Sequence, residues 1–206
     1  MKNKVLTILL GIGLVAVIGG SFVLYNFLGE KVESDSLKVE ESIEETEKPE
    51  VKEDMSDEKP KEDKSEYTKA FDFSVYDENG NAYKLSEFEG KPVVLNFWAS
   101  WCGPCKSEMP EFETAYQTYG ENIHFLMVNL TDGYQESVES AKGFIEKNGY
   151  TFPIYYDTSY DAAKAYSVYA VPVTYFLDED GYIIAWGNGA LSAEKLKEGI
   201  GFIYSE

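Results

Sequence analysis

Residues 92–110 read PVVLNFWASWCGPCKSEMP, and this stretch holds both cysteines of the 206-residue chain, Cys102 and Cys105. Its first eight residues are a nearly continuous apolar run rich in β-branched and aromatic side chains, which predicts a central strand covered on both faces. Beyond the cysteines, Met109, Phe112, Ala115, Tyr116 and Tyr119 recur at three- and four-residue spacing. That periodicity predicts a helix to about Tyr119, closed by Gly120 and kinked at Pro110. A covered strand that enters a helix through a cysteine pair is the start of an α/β unit.

Working outward, residues 71–76 (FDFSVY) alternate, Asn79-Gly80 is a hairpin signal, and residues 82–85 return as a second short strand, so the domain is expected to open with a β-hairpin. Residues 123–129 predict a second buried strand, residues 135–147 a second helix closed by Asn148-Gly149, and residues 160–166 a short third helix. Residues 173–177 and 182–186 flank a turn at Glu179-Asp180-Gly181 and predict an antiparallel pair, and residues 193–204 a last helix. This order implies an α/β domain, a mixed central sheet with helices on both faces.

The folded part is assigned to residues 67–206, with 21 acids against 9 lysines and a formal charge of −12. Residues 29–66 carry 16 acids and 7 lysines and almost no large apolar side chains. They read as a disordered acidic linker with a reach of roughly 35 Å. Residues 5–28 (VLTILLGIGLVAVIGGSFVLYNFL) are 24 residues without a charge, where a membrane-spanning helix needs about 20. The run ends in bulky residues rather than a small-residue cleavage site, so residues 1–28 read as an uncleaved signal anchor. Lys2 and Lys4 keep the amino terminus in the cytoplasm and put the rest of the chain outside, where disulfides persist. The whole chain has a formal charge of −19 and no arginine, which argues against nucleic acid as a partner.

The spacing leaves three readings of the cysteine pair to weigh: a metal clamp, a staple, or a redox dithiol. A zinc site needs four nitrogen or sulfur ligands, and the only histidine, His124, is on another predicted strand; copper would gather more soft ligands than Met109 offers. A bridge that closes two residues constrains the unfolded chain very little. A redox dithiol, in contrast, uses a thiolate at a helix amino terminus and a resolving thiol one turn on. Cys102 is expected to be the exposed attacker and Cys105 the buried resolver. Gly103 is expected to permit a tight turn, and Pro104 fits the first helical turn. No cofactor is implied beyond the Cys102–Cys105 pair itself.

Residues 98–106 (WASWCGPCK), with Val171-Pro172-Val173-Thr174, resemble the thioredoxin family over most of residues 67–206. The resemblance implies that Pro172 is cis and faces the cysteines, and that the Val171 backbone pairs with substrate. Trp101, Gly103, Pro104, Val171 and Pro172 would then form the substrate-binding surface. Residues 95–98 (LNFW), the amino-terminal hairpin, the insertion around residues 131–149 and Glu108-Met109-Pro110 are similar to the membrane-anchored, extracytoplasmic TlpA/ResA branch that includes the cytochrome c maturation thioredoxins. Thioredoxins usually have a buried aspartate where this chain has Asn96. Glu108, three residues past Cys105, is close enough by helical spacing to exchange its proton, the alternative being an exposed helix glutamate. The implied activity is thiol-disulfide exchange, with protein thiols and disulfides outside the membrane as substrates. A membrane partner would pass electrons to it, or an oxidising partner would run it in the other direction. A peroxidase would need threonine or serine at Ala99 and a nearby arginine, and a peptide-binding module would leave the dithiol idle.

Overall fold

The computed structural model describes residues 64–205. The expected anchor, residues 5–28, and nearly all of the expected linker lie outside the described residues. Among the described residues no helix is long and apolar enough to cross a membrane. The described residues open with a 3-10 turn at Lys64–Glu66. Lys64 holds it there through ion pairs to Asp178 (2.7 Å) and Asp180 (2.6 Å).

Eight strands follow, namely β1 (Thr68–Lys69), β2 (Ser74–Tyr76), β3 (Ala82–Lys84), β4 (Val93–Trp98), β5 (His124–Asn129), β6 (Ile154–Tyr156), β7 (Val173–Leu177) and β8 (Tyr182–Asn188). Four helices join them: α1 (Gly103–Tyr119), α2 (Val138–Asn148), α3 (Asp161–Ala165) and α4 (Ala193–Ile203). The strands form one mixed sheet in the order β1-β8-β7-β4-β5-β6-β2-β3. β4, β5 and β6 are parallel, and β7 is antiparallel to β4. The strand ends after β4, β5 and β6 and the start of β7 therefore share one pole of the sheet.

β2 and β3 pair antiparallel across the turn at Asn79-Gly80, where Gly80 takes a positive φ of 80°. This ribbon is not the first element, because β1 precedes it and pairs with β8 at the opposite edge. Two residues are too few to show a period-2 pattern. α2 begins at Val138 rather than 135, because the Asp132 carboxylate takes the backbone N–H groups of Tyr134, Gln135 and Glu136 and holds them in a separate turn. Ser137 then caps the helix through the Ser140 N–H. At its other end Gly149 takes the left-handed conformation.

Alternation along the buried strands divides the core in two. Val94, Trp98, Phe125, Met127 and Phe176 face α1, α2 and α4, while Leu95, Phe97, Leu126, Val128, Tyr175 and Leu177 face α3 and the segment around Phe73. Asn96 and Thr174 have the parity of the first set, so two polar side chains point into the apolar layer beneath α1. They lie directly opposite each other in the β4–β7 register.

Candidate active site

Cys102 and Cys105 are joined in a disulfide at the start of α1. Strand β4 delivers the chain to this point, and a turn closed by the Cys102 N–H on the Ala99 carbonyl (3.2 Å) reverses it into the helix. Cys102 is the helix cap: its Sγ accepts the Cys105 backbone N–H at 3.1 Å, so a charge on this sulfur would meet an aimed donor and the positive end of α1. The Val171 carbonyl oxygen lies 3.5 Å from the same sulfur, and the Val171–Pro172 peptide is cis, the isomer that the resemblance implies.

Two expectations about this loop are corrected. Cys102 is only 4% exposed in the disulfide form, with the Val171 carbonyl lying against its sulfur. Gly103 has an ordinary negative φ and open space where a Cβ would stand, so the turn does not need glycine; its missing side chain keeps the surface beside the disulfide clear. Pro110 lies within α1, which is continuous from Gly103 to Tyr119. Pro104 occupies the first turn, where its missing N–H has no cost. Trp101 is half exposed next to Cys102, whereas Trp98 is fully buried and packs on Phe144 at 5.8 Å.

Glu108 is not an exposed helix glutamate. It belongs to the buried stripe of α1 with Cys105, Met109, Phe112 and Ala115, and is 1% exposed. Oε1 accepts from Asn96 Nδ2 at 3.0 Å and Oε2 from the Leu191 N–H at 2.8 Å. Asn96 Nδ2 also donates to Thr174 Oγ1 at 3.0 Å. Burial pushes the Glu108 carboxyl up to about 7, against the two hydrogen bonds, which favour the charged form. A group poised there can take up or release a proton near neutral pH.

Sequence reasoning missed a second buried acid, Glu136, 1% exposed at the head of α2. Its Oε2 accepts both the backbone N–H (3.0 Å) and the hydroxyl (2.9 Å) of Ser100, two residues before Cys102. Oε1 accepts from Ser140 Oγ (3.2 Å) and Asn129 Nδ2 (3.4 Å). Glu136 thus braces the loop that presents Cys102. A weak signal existed in Ser140, four residues on, but the decisive partner is 36 residues away.

This arrangement can perform one chemistry directly. A thiolate on Cys102 attacks a disulfide, a mixed disulfide forms as one partner sulfur leaves, and the Cys105 thiolate displaces the second. Two electrons move from the dithiol to the substrate and Cys102–Cys105 closes.

The chain is similar to known proteins in sequence and in structure. Residues 67–186 match the model of the AhpC/TSA family. The chain is 35% identical over 111 residues to the sporulation thiol-disulfide oxidoreductase A of Bacillus subtilis, covering 53% of this chain and 67% of that protein. It is 35% identical over 127 residues to the thiol-disulfide oxidoreductase ResA of Geobacillus kaustophilus, covering 61% of this chain and 71% of that one. In structure it is similar to StoA from Bacillus subtilis, with a TM-score of 0.55 at 32% identity over 63% of this chain and 96% of that one. It is likewise similar to a putative thiol:disulfide interchange protein DsbE from Chlorobium tepidum, with a TM-score of 0.58 at 28% identity over 65% and 94%. With a helix-capping disulfide beside a cis-proline on this fold, the chain belongs to the AhpC/TSA family, among its thioredoxin-like thiol-disulfide oxidoreductases.

Proposed function

We propose that this chain is a membrane-tethered oxidoreductase that reduces disulfides of other proteins outside the cytoplasm, with Cys102 as nucleophile and Cys105 as resolving thiol. The observation that carries the reading is the Cys102 sulfur itself. It caps α1 under an N–H donor and sits against the Val171 carbonyl, where an extended substrate strand would lie. Glu108 serves the second step. Buried one turn beyond Cys105, it accepts the proton that Cys105 must lose before it can resolve the mixed disulfide.

The tether rests on the uncharged residues 5–28 and on Lys2 and Lys4 ahead of them. A reductase in that place consumes electrons, so its own disulfide must be reopened by a partner that carries them across the membrane. A peroxidase role is disfavoured by Ala99 and by the lack of arginine anywhere in the chain.

The redox potential tests the direction. Equilibration of the pair with glutathione or dithiothreitol buffers should give a midpoint near the thioredoxin value of about −270 mV. A midpoint near about −120 mV, in the range of a disulfide-forming enzyme, would instead assign the opposite direction of electron flow.

A further inference from the structure

Large apolar side chains exposed to water are scarce in this domain: Phe71, Trp101, Tyr134, Tyr160 and Tyr169. Four of the five lie on the loops of one pole. Trp101 follows β4, Tyr134 follows β5, Tyr160 follows β6, and Tyr169 precedes β7. Since β4, β5 and β6 are parallel and β7 opposes them, these loops share the pole that carries the disulfide. The remaining one, Phe71, packs edge-on against Tyr166.

Their order across the sheet follows the strands: Tyr169, Trp101, Tyr134, Tyr160, with Cys102 on the loop of Trp101, between the loop of Tyr169 and that of Tyr134. Tyr134 and Tyr169 are 95% and 96% exposed, so they contribute almost nothing to the core. Tyr160 is held at φ 58°, ψ 23°, a left-handed conformation that is unfavourable for a bulky residue. The loop bearing Tyr134 is not slack either: Asp132 gathers its backbone N–H groups, and Glu136 at its end bonds Ser100 beside the disulfide. A tyrosine offers a large apolar face with little rotamer entropy to lose, while its hydroxyl stays wet, which suits it to a contact made only when a partner arrives.

We propose that these loops form an aromatic rest for an extended polypeptide segment that carries apolar or aromatic side chains on both sides of its cysteine. The inference rests on the oxidoreductase reading and deepens it to a substrate class. Three strand spacings separate the β7 and β6 ends, roughly 15 Å, which is the length of about four or five extended residues. A segment laid across the strand ends would place its cysteine over Cys102 and its neighbours over Tyr169 on one side and Tyr134 on the other. The domain's formal charge of −12 favours apolar over acidic flanks.

The test uses the reduced full-length chain with three disulfides: a peptide–glutathione disulfide flanked by phenylalanine and leucine, the same peptide flanked by serine, and hydroxyethyl disulfide. Wild type should prefer the apolar peptide over the serine peptide by about tenfold in kcat/KM. The double variant Tyr134→Ser/Tyr169→Ser should lose about fivefold or more on the apolar peptide, and stay within about twofold on the other two. Equal rates of wild type on the two peptides, or an equal loss by the variant on both, would overturn the aromatic rest and leave the oxidoreductase reading standing. No exchange with any of the three would overturn both.

Discussion

Glu108 shows how far one buried group can set the pH behaviour of a site. As the proposed acceptor of the Cys105 proton it must be ionised, so release of a mixed disulfide should accelerate as pH rises through about 7 and then level off. In Glu108→Gln that rise should move to the ordinary thiol range of about 8.5 or above, which single-turnover release between pH 5.5 and 9.5 would display. The same group fixes a stability trend. Its pKa in the fold lies above the ordinary 4.5, so the fold binds this proton more tightly than the unfolded chain does; that stability is present below about pH 4.5 and lost as pH rises through about 7. Glu108→Gln, which cannot ionise, should therefore gain on wild type by ~3 kcal/mol over this interval in chemical denaturation, and parallel curves would contradict the assignment. Glu136 makes a different prediction. All four of its hydrogen bonds come from donors, so Glu136→Gln turns an amide N–H₂ toward Ser100 or toward Asn129 and should cost about 1–3 kcal/mol. It should also slow alkylation of Cys102 at neutral pH, because the loop that presents the thiolate loses its brace; a stability loss with unchanged alkylation would reduce Glu136 to a structural residue. Helical spacing made Glu108 legible beside the cysteines, but its burial depends on Asn96 and Leu191 arriving from other elements. Glu136 was illegible because nothing within one turn of it announces a bond to Ser100.

Elements were read best where covalent pattern and burial coincide. Residues 173–177 and the helix running to Tyr119 are fully expressed in side-chain periodicity, and the structure has them as β7 and α1. β6 went unread because three residues carry no period and Pro153 precedes them; it exists only because β5 and β2 pair with it on either side. Packing can also reverse the sign of a local rule. Gly199 lies inside α4, where alanine would ordinarily stabilise a helix by about 0.5–1 kcal/mol. Here α4 approaches β7 so closely that a Cβ would stand within the van der Waals surface of the Phe176 ring, which is itself fully buried. Gly199→Ala should therefore destabilise the domain by about 1–3 kcal/mol, measured as a lower urea midpoint at unchanged slope. A raised midpoint would mean that α4 sits farther from the sheet.

At the scale of the whole molecule, the pole that bears the disulfide is separate from the point where the described residues begin. Lys64 pairs with Asp178 and Asp180 at the turn between β7 and β8, and β7 runs from the cis-proline at the disulfide pole to that turn at the other. Lys64, where the described residues begin, thus stands at the pole opposite the disulfide. The proposed tether rests on composition alone, since the charge of residues 29–66 and the lack of charge in residues 5–28 are properties of the chain. The identity of the substrate is not such a property, because it depends on surfaces that belong to another molecule. The central claim is that Cys102 attacks and Cys105 resolves, and trapping in cells tests it most directly. Full-length Cys105→Ser should accumulate mixed disulfides through Cys102, seen by mass spectrometry as cysteine-linked extracytoplasmic proteins that dithiothreitol releases, while Cys102→Ser should accumulate none. Adducts absent from Cys105→Ser, or equally abundant in both variants, would contradict the account.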